Sequence, residues 1–242
     1  MNPHIKPIPH SERAKKQQVE EMFNDISGKY DFLNHLLSFG IDKIWRNKLL
    51  GSITFASDSK VLDMATGTAD VALQIAKEKG VEVTGADISE GMLDVGRVKV
   101  KNKKLEGLVQ LVSGDAENIP YEKETFDIAT VAFGVRNFQD LPQGLLELHR
   151  VLKADGQLRV LEFSKPKSKF VAWFFGLYFN RILPFIGKLV SKNNTAYRYL
   201  PVSVNAFPEG QDFCNYLKNA GFIEISFKPL TFGISTLYIC KK

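Results

Sequence analysis

Lys60-Val-Leu-Asp-Met-Ala-Thr-Gly-Thr-Ala-Asp70 is the stretch on which the fold turns. The apolar residues leading to Asp63 read as a buried parallel strand. Ala65, Gly67 and Ala69 let backbone approach a ligand, and Val71-Ala-Leu-Gln-Ile-Ala then starts a helix. The next apolar run closes on Asp87, about 20 residues on, where an acid can grip ribose hydroxyls. Strand, small-residue turn and helix in this order make a nucleotide-type cofactor loop. Alone, so short a loop also reads as an ordinary tight turn, so its context decides.

A dinucleotide is the first cofactor to test, because glycines of a G-x-G-x-x-G turn admit a pyrophosphate to a helix N-terminus. That triplet is missing: Gly67 is the single glycine, and Asp63 and Asp70 flank it with negative charge. A cationic cofactor suits acids better, and S-adenosylmethionine, with its sulfonium and ammonium, is the expectation.

Further strand ends support this, since open α/β sheets bind ligands at the carboxyl edge. After Val109-Gln-Leu-Val-Ser comes Gly114-Asp115-Ala116-Glu117, whose acid can accept from an adenine amino group while Ala116 lends a backbone N–H. After Phe126-Asp-Ile-Ala-Thr-Val-Ala-Phe comes Gly134-Val-Arg-Asn137, at the end of the central strand where a methyl acceptor would sit. Taken singly, each acid or arginine also suits a solvated loop.

The expected fold is α/β, a Rossmann-like seven-stranded methyltransferase sheet. A helical arm runs over residues 1–52 and the methyltransferase domain over 53–242, with a lid or substrate-binding insertion at 165–200. Strand cores are expected at Val61 to Met64, Val81 to Ala86, Val109 to Ser113, Phe126 to Phe133 and Leu158 to Phe163. The runs beginning at Gly221 and Gly233 should close as an antiparallel hairpin.

With 242 residues and 44% hydrophobic content, the chain suffices for one sizeable core. Cys214 and Cys240 share no C-x-x-C motif and have no His ligands in pattern, so no metal site and no disulfide framework is expected. The first residues lack a signal-type apolar run, and no segment reaches the ~20 apolar residues of a membrane span. The expected location is cytoplasmic, with peripheral contact at the inner face of the membrane. A net charge of +5 suits an anionic surface, nucleic acid or neither. Lys99, Lys101, Lys103 and Lys104 read most simply as a solvated face. His149, in a predicted helix, reads as a surface or packing residue rather than a base.

Two long motifs then carry a resemblance. Tyr30-Asp31-Phe32-Leu33-Asn34-His35-Leu36-Leu37-Ser38, followed by Asp42 and Trp45, is similar to the first signature of the ubiquinone/menaquinone biosynthesis C-methyltransferase family, with Leu33 and Asp42 departing from it. Arg150-Val-Leu-Lys-Ala-Asp-Gly-Gln-Leu-Arg-Val-Leu-Glu-Phe-Ser164 resembles its second, Ala154 and Asp155 replacing the customary Pro-Gly. Phe133-Gly-Val-Arg-Asn137 and Tyr197-Arg-Tyr-Leu-Pro201 also resemble the family. The likeness covers about residues 20 to 240.

The resemblance implies methyl transfer from S-adenosylmethionine to a ring carbon of a prenylated quinol, with demethylmenaquinol favoured over a benzoquinol. It implies cofactor contacts from Thr68, Asp87, Asp115 and Ala116, supported by Asp63 and Gly67. Some relatives have a serine where this chain has Ala132, a small residue that still leaves room for the donor methyl. Arg136 is the expected acceptor-site residue, with an electrostatic role because an arginine does not accept protons at neutral pH. Asp31 is the expected base and Tyr30 the residue that orients the ring; alternatively Tyr30, Asp31 and Asn34 anchor the arm.

The aromatic run from Phe170 to Asn180, flanked by Lys165, Lys167, Lys169, Arg181, Lys188 and Lys192, is where a polyprenyl tail would meet the protein, lined also by Tyr197 and Tyr199. Its bland alternative is a core helix. A homodimer is a further expectation. A nucleic-acid substrate is not expected, since the fourth strand ends in Phe133-Gly-Val-Arg rather than Asn/Asp-Pro-Pro-Tyr and neither cysteine follows a proline. The alternative of another class is a non-catalytic scaffold that retains the cofactor fold.

Overall fold

Alternation of buried strands and amphipathic helices produces the expected sheet. The computed structural model describes residues 5–38, 40–177 and 195–242. In chain order its elements are α1 (Lys15–Leu37), α2 (Ile41–Leu50), β1 (Lys60–Met64), α3 (Asp70–Lys79), β2 (Glu82–Asp87), α4 (Glu90–Asn102), β3 (Val109–Ser113) and β4 (Phe126–Ala132). There follow a 3-10 turn (Val135–Asn137), α5 (Leu141–Val151), β5 (Leu152–Phe163), α6 (Lys169–Leu177), α7 (Thr195–Ala206), α8 (Gln211–Asn219), β6 (Ile223–Leu230) and β7 (Ser235–Lys241).

The sheet has the order β3-β2-β1-β4-β5-β7-β6. The β1, β2, β3, β4 and β5 strands run parallel, while β7 pairs antiparallel with both β5 and β6. Strand order reverses between β1 and β4, so their carboxyl ends diverge and leave a crevice there. Side chains alternate across the pleat. Leu62 and Met64 enter the core on one face, beside Leu145, Leu148 and Phe213. Val61 faces the other, beside Leu49, Leu73 and Ile75.

The parallel strands fall within a residue or so of expectation, with one exception. β5 starts at Leu152 rather than Leu158, because Leu152 pairs with Phe126 before the register shifts, and pairing resumes at Ile128 with Gln157. The Ala154-Asp155 pair that stands for Pro-Gly thus lies at an irregularity inside a strand, with Asp155 at φ +60°.

Of the expected insertion, α6 and α7 are described and residues 178–194 lie outside the described residues. Among the described residues no helix is long and apolar enough to cross a membrane. Cys214 and Cys240 are buried free thiols, and no group of metal-ligating side chains occurs among the described residues. His149 packs its ring edge-on to Phe222, 5.1 Å between centroids, as a packing residue should.

Candidate active site

The crevice at the strand reversal is an open cleft, about 650 Å³ with the solvent at its mouth included. Its floor comes from the ends of β1, β2, β3 and β4 and its roof from α1. The loop after β1 is bent by three residues in left-handed conformation: Ala65 (φ +56°), Gly67 (+57°) and Ala69 (+65°). Only the central one is a glycine, and L-residues pay steric strain in that region. The expense is placed where backbone must turn against a ligand. Gly134 is needed for another reason: a Cβ there would collide with the Ala65 side chain. The β1 and β4 loops can therefore close on each other only at a glycine.

The acids of the site divide sharply. Asp87, at the end of β2, lines the cleft and accepts from the Gly67 N–H at 2.8 Å and the Ser89 N–H at 2.9 Å. Burial raises its pKa, and these backbone donors oppose the shift. Asp115 also lines the cleft; it accepts from the Glu117 N–H at 3.0 Å and pairs with Lys16 of α1 at 2.5 Å. Gly67, Ala116 and Tyr30 complete the expected residues that the cleft gathers.

Asp63 is not on the cleft. It lies beneath, 1% exposed, accepting from Thr66 and Thr130 hydroxyls at 2.6 Å each. Burial pushes its carboxyl up to about 6 against those bonds. Its place is to brace the loop.

Thr68 and Asp31 are brought together, but also away from the cleft lining. The Thr68 hydroxyl donates to Asp31 at 2.5 Å, and Lys99 donates to Asp31 at 2.9 Å and to Thr68 at 3.2 Å. Lys99 further pairs with Asp70, which Arg46 reaches at 3.2 Å while also pairing with Asp42 at 2.9 Å. Two expectations change here. Lys99 is not part of a solvated face but the centre of a network joining α1, α2, α3 and α4. Asp70, expected to attract a cationic cofactor, is balanced by two cations. Asp31, held by the Thr68 hydroxyl and the Lys99 ammonium, ties the arm to α4 and to the loop after β1.

Arg136 is 6% exposed and lies outside the cleft lining. The 3-10 turn after β4 aims it at Glu162, fully buried on β5, with Nη1 at 2.7 Å from the carboxylate. The guanidinium also donates to the Phe133 carbonyl and stacks over Phe163. Glu162 was not singled out from sequence, where it is one acid in an apolar strand. Its signal was Arg136 one strand away.

Lys15 and Lys16 were missed as well. The Lys15 ammonium donates to the Arg136 and Phe138 carbonyls at 3.0 and 2.8 Å, and burial, then Arg136, lowers its pKa to about 8. Lys16 bridges Asp115 and Glu117. Asn24 accepts from the Gly91 N–H at 2.9 Å, anchoring α1 to the start of α4. Side chains of residues 32–37, including Asn34 and His35, lie outside the described residues, as does that of Tyr197.

Acids at two sheet edges, a backbone-lined turn and small residues Ala132 and Gly134 below the β4 end fit an adenosyl sulfonium donor. The sheet order and this cleft define an S-adenosylmethionine-dependent methyltransferase. The sheet is similar to that of a SAM-dependent methyltransferase from Thermotoga maritima, with a TM-score of 0.66 at 16% identity over 92% of this chain and 99% of that protein's length. Residues 11–242 match the model of the ubiE/COQ5 methyltransferase family, and the chain belongs to that family. Among relatives, it is 43% identical over 242 residues to the demethylmenaquinone methyltransferase of Bacteroides fragilis, covering 99% of each. It is 44% identical over 230 residues to the ubiquinone/menaquinone biosynthesis C-methyltransferase of Geobacter sulfurreducens, covering 94% of this chain and 90% of the relative.

Proposed function

We propose that this protein methylates a ring carbon of demethylmenaquinol, making menaquinol. The carrying observation is the cleft itself: acids from β2 and β3 face small residues at the end of β4, under a roof of mostly apolar α1 residues. The near full-length likeness to a demethylmenaquinone methyltransferase supports the naphthoquinol. The likeness to a relative named for both quinones favours benzoquinol methylation as the second reading.

When bound, S-adenosylmethionine supplies an electrophilic methyl. Asp87 has both oxygens occupied by backbone donors yet retains lone pairs for ribose hydroxyls, since a carboxylate has about four acceptor positions. Asp115 is placed for the adenine amino group, sharing its charge with Lys16, and the Ala116 N–H for a ring nitrogen. Gly67 gives the backbone its close approach. Asp63 and Thr68 act behind these contacts, one bracing the loop and the other tying it to Asp31.

The acceptor must be the reduced quinol, because a quinone carbon is electrophilic. Loss of a hydroxyl proton drives electron density onto the neighbouring carbon. In-line attack at ~3 to 3.5 Å would form the new C–C bond as the S–CH3 bond breaks and the thioether leaves, and loss of the ring C–H proton to water then restores the aromatic quinol. Tyr30 orients the ring. Arg136 acts from beneath on the acceptor oxygen through its oriented N–H groups, its net charge being balanced by Glu162. With Asp31 engaged by Lys99, water takes the proton. Val19, Phe23, Ile88, Met92 and Phe138 wall the cleft and limit water, which would otherwise solvate the separated charges better than the transition state in which they cancel.

The prenyl tail leaves toward α6, where Phe170 is 72% and Trp173 63% exposed beside Lys167 and Lys169. This is an interfacial surface, and the protein works peripherally at the cytoplasmic face of the membrane. The arm, 1–52, the methyltransferase domain, 53–242, and the lid, 165–200, act as one catalytic unit, and a homodimer remains part of the proposal. The test is incubation with labelled cofactor and each reduced acceptor, followed by mass analysis of the lipid quinols. Label in menaquinol supports the reading; label only in the benzoquinol product selects the second; label in neither overturns both.

A further inference from the structure

Three buried side-chain atoms have no hydrogen-bond partner among the described residues: Arg136 Nε, Asn137 Oδ1 and Tyr199 Oη. Unpaired buried polar atoms cost free energy, and native proteins carry few of them. These are not scattered. Arg136 and Asn137 are neighbours on the 3-10 turn after β4, and α7, which carries Tyr199, packs against that turn. The Tyr199 phenol feels both Arg136 and Glu162 electrostatically.

We propose that Tyr199 and Asn137, beside Arg136, form the site that recognises the ring hydroxyl of the acceptor. The assignment rests on the quinol reading above and adds two residues to it. Asn137 Oδ1 can only accept, Arg136 Nε–H can only donate, and the Tyr199 hydroxyl can do either. A phenolic hydroxyl, with one proton to give and lone pairs to fill, completes this set; an alkyl group or ether in its place leaves an acceptor empty.

Location agrees. Asn137 lines the cleft directly. Tyr199, 4% exposed, clusters with Val19 and Met22 of α1 and packs on Phe23 and Ile88. Val19, Phe23 and Ile88 also wall the cleft, so Tyr199 packs directly against residues of the cleft wall.

Charge agrees as well. Burial pushes the Tyr199 phenol far above its ordinary range, so at neutral pH it stays protonated and donates. Arg136 and Glu162 sum to no net charge. A quinolate there is stabilised by oriented donors without a rival cation, and its attraction to the sulfonium is preserved. Asn137 accepts the proton-bearing form of the hydroxyl, and Tyr199 and Arg136 donate to the oxygen as it becomes anionic.

The test compares wild type with Tyr199→Phe and Asn137→Ala. Steady-state turnover is measured on short-prenyl demethylmenaquinol. Anaerobic calorimetry measures binding of the same quinol, and of its mono-methyl ether, in the presence of S-adenosylhomocysteine. Tyr199→Phe should bind the quinol at least tenfold more weakly and lower kcat/KM by at least as much. Its S-adenosylhomocysteine affinity should be unchanged, and its Tm should not fall, since the lost hydroxyl had no protein partner. Asn137→Ala should lose the wild-type preference for the free hydroxyl over the ether. Equal quinol affinity and kcat/KM for Tyr199→Phe and wild type overturn the assignment and leave the acceptor reading standing. A wild type that methylates no reduced quinol overturns the acceptor reading and the assignment with it.

Discussion

Asp63, next to last in β1, and Asp87, last in β2, lie near the carboxyl ends of adjacent strands, yet one sits beneath the cleft and the other lines it, with hydroxyl donors around the first and backbone N–H donors on the second. The difference is testable through pH. The folded-state pKa of Asp63, about 6, is above its unfolded value near 3.8. The folded protein therefore holds the proton longer, and the stabilisation from this group, complete below the unfolded value, is lost as pH rises through about 6. Against Asp63→Asn, wild type should lose relative Tm between pH 4 and 6.5 and show a flat difference above; a relative gain over that window contradicts the burial argument. For Asp87→Ala, calorimetry with S-adenosylhomocysteine should show binding weaker by about 1 to 3 kcal/mol, part of it from freeing the Gly67 and Ser89 N–H groups. Residues such as Gly67, Asp87, Asp115 and Ala116 were legible in the sequence because position at a sheet edge already fixes what they face. Asp31, Thr68 and Lys99 were not, since their meaning comes from partners 31 to 68 positions apart in sequence.

The arm α1 is the element through which cleft and surface communicate. Lys16 on Asp115, Asn24 at the start of α4 and Asp31 on Lys99 pin it at three heights along its length. A cofactor meeting Gly67 and Asp115 lies under those pins, so access requires some of them to open. Lys99→Met keeps the stem and removes the ammonium, leaving Asp31 and Asp70 without it. Its expected effect is faster amide exchange across α1 and a several-fold faster release of S-adenosylhomocysteine by stopped flow. Unaltered exchange in α1 would show that Asn24 and the lysines near Asp115 suffice. Strand placement was legible because parallel strands buried on both faces leave unbroken apolar runs between turn residues. The early start of β5 was not: Lys153, Ala154 and Asp155 carry no strand pattern, and only the pairing of Leu152 with Phe126 draws them into the sheet. The roofing role of α1 was likewise only partly legible, since periodicity gives a helix its apolar face but not the surface it covers.

Across the whole fold, the cleft opens at the carboxyl edge of the parallel strands, and the described part of the insertion turns apolar surface outward after the last of them. Phe170 and Trp173 on α6 are 72% and 63% exposed, with cations at Lys165, Lys167 and Lys169 near them in sequence. Aromatic rings seated at the headgroup level with lysines reaching anionic lipid give binding that needs both terms, because neither a few rings nor a few charges holds a protein on a bilayer alone. Flotation with vesicles containing anionic lipid should therefore recover wild type at low salt. Recovery should fall several-fold for the double variant Phe170→Ser, Trp173→Ser, and fall again for either protein when salt shortens the Debye length from about 10 Å at 0.1 M to about 3 Å at 1 M. The same variant should keep its activity on a water-soluble, short-prenyl quinol and lose it selectively on a long-prenyl quinol presented in vesicles, since the cleft is built elsewhere. Equal loss on both acceptors would mean that α6 supports the fold of the site, and equal retention would place the lipid-facing surface on another part of the chain.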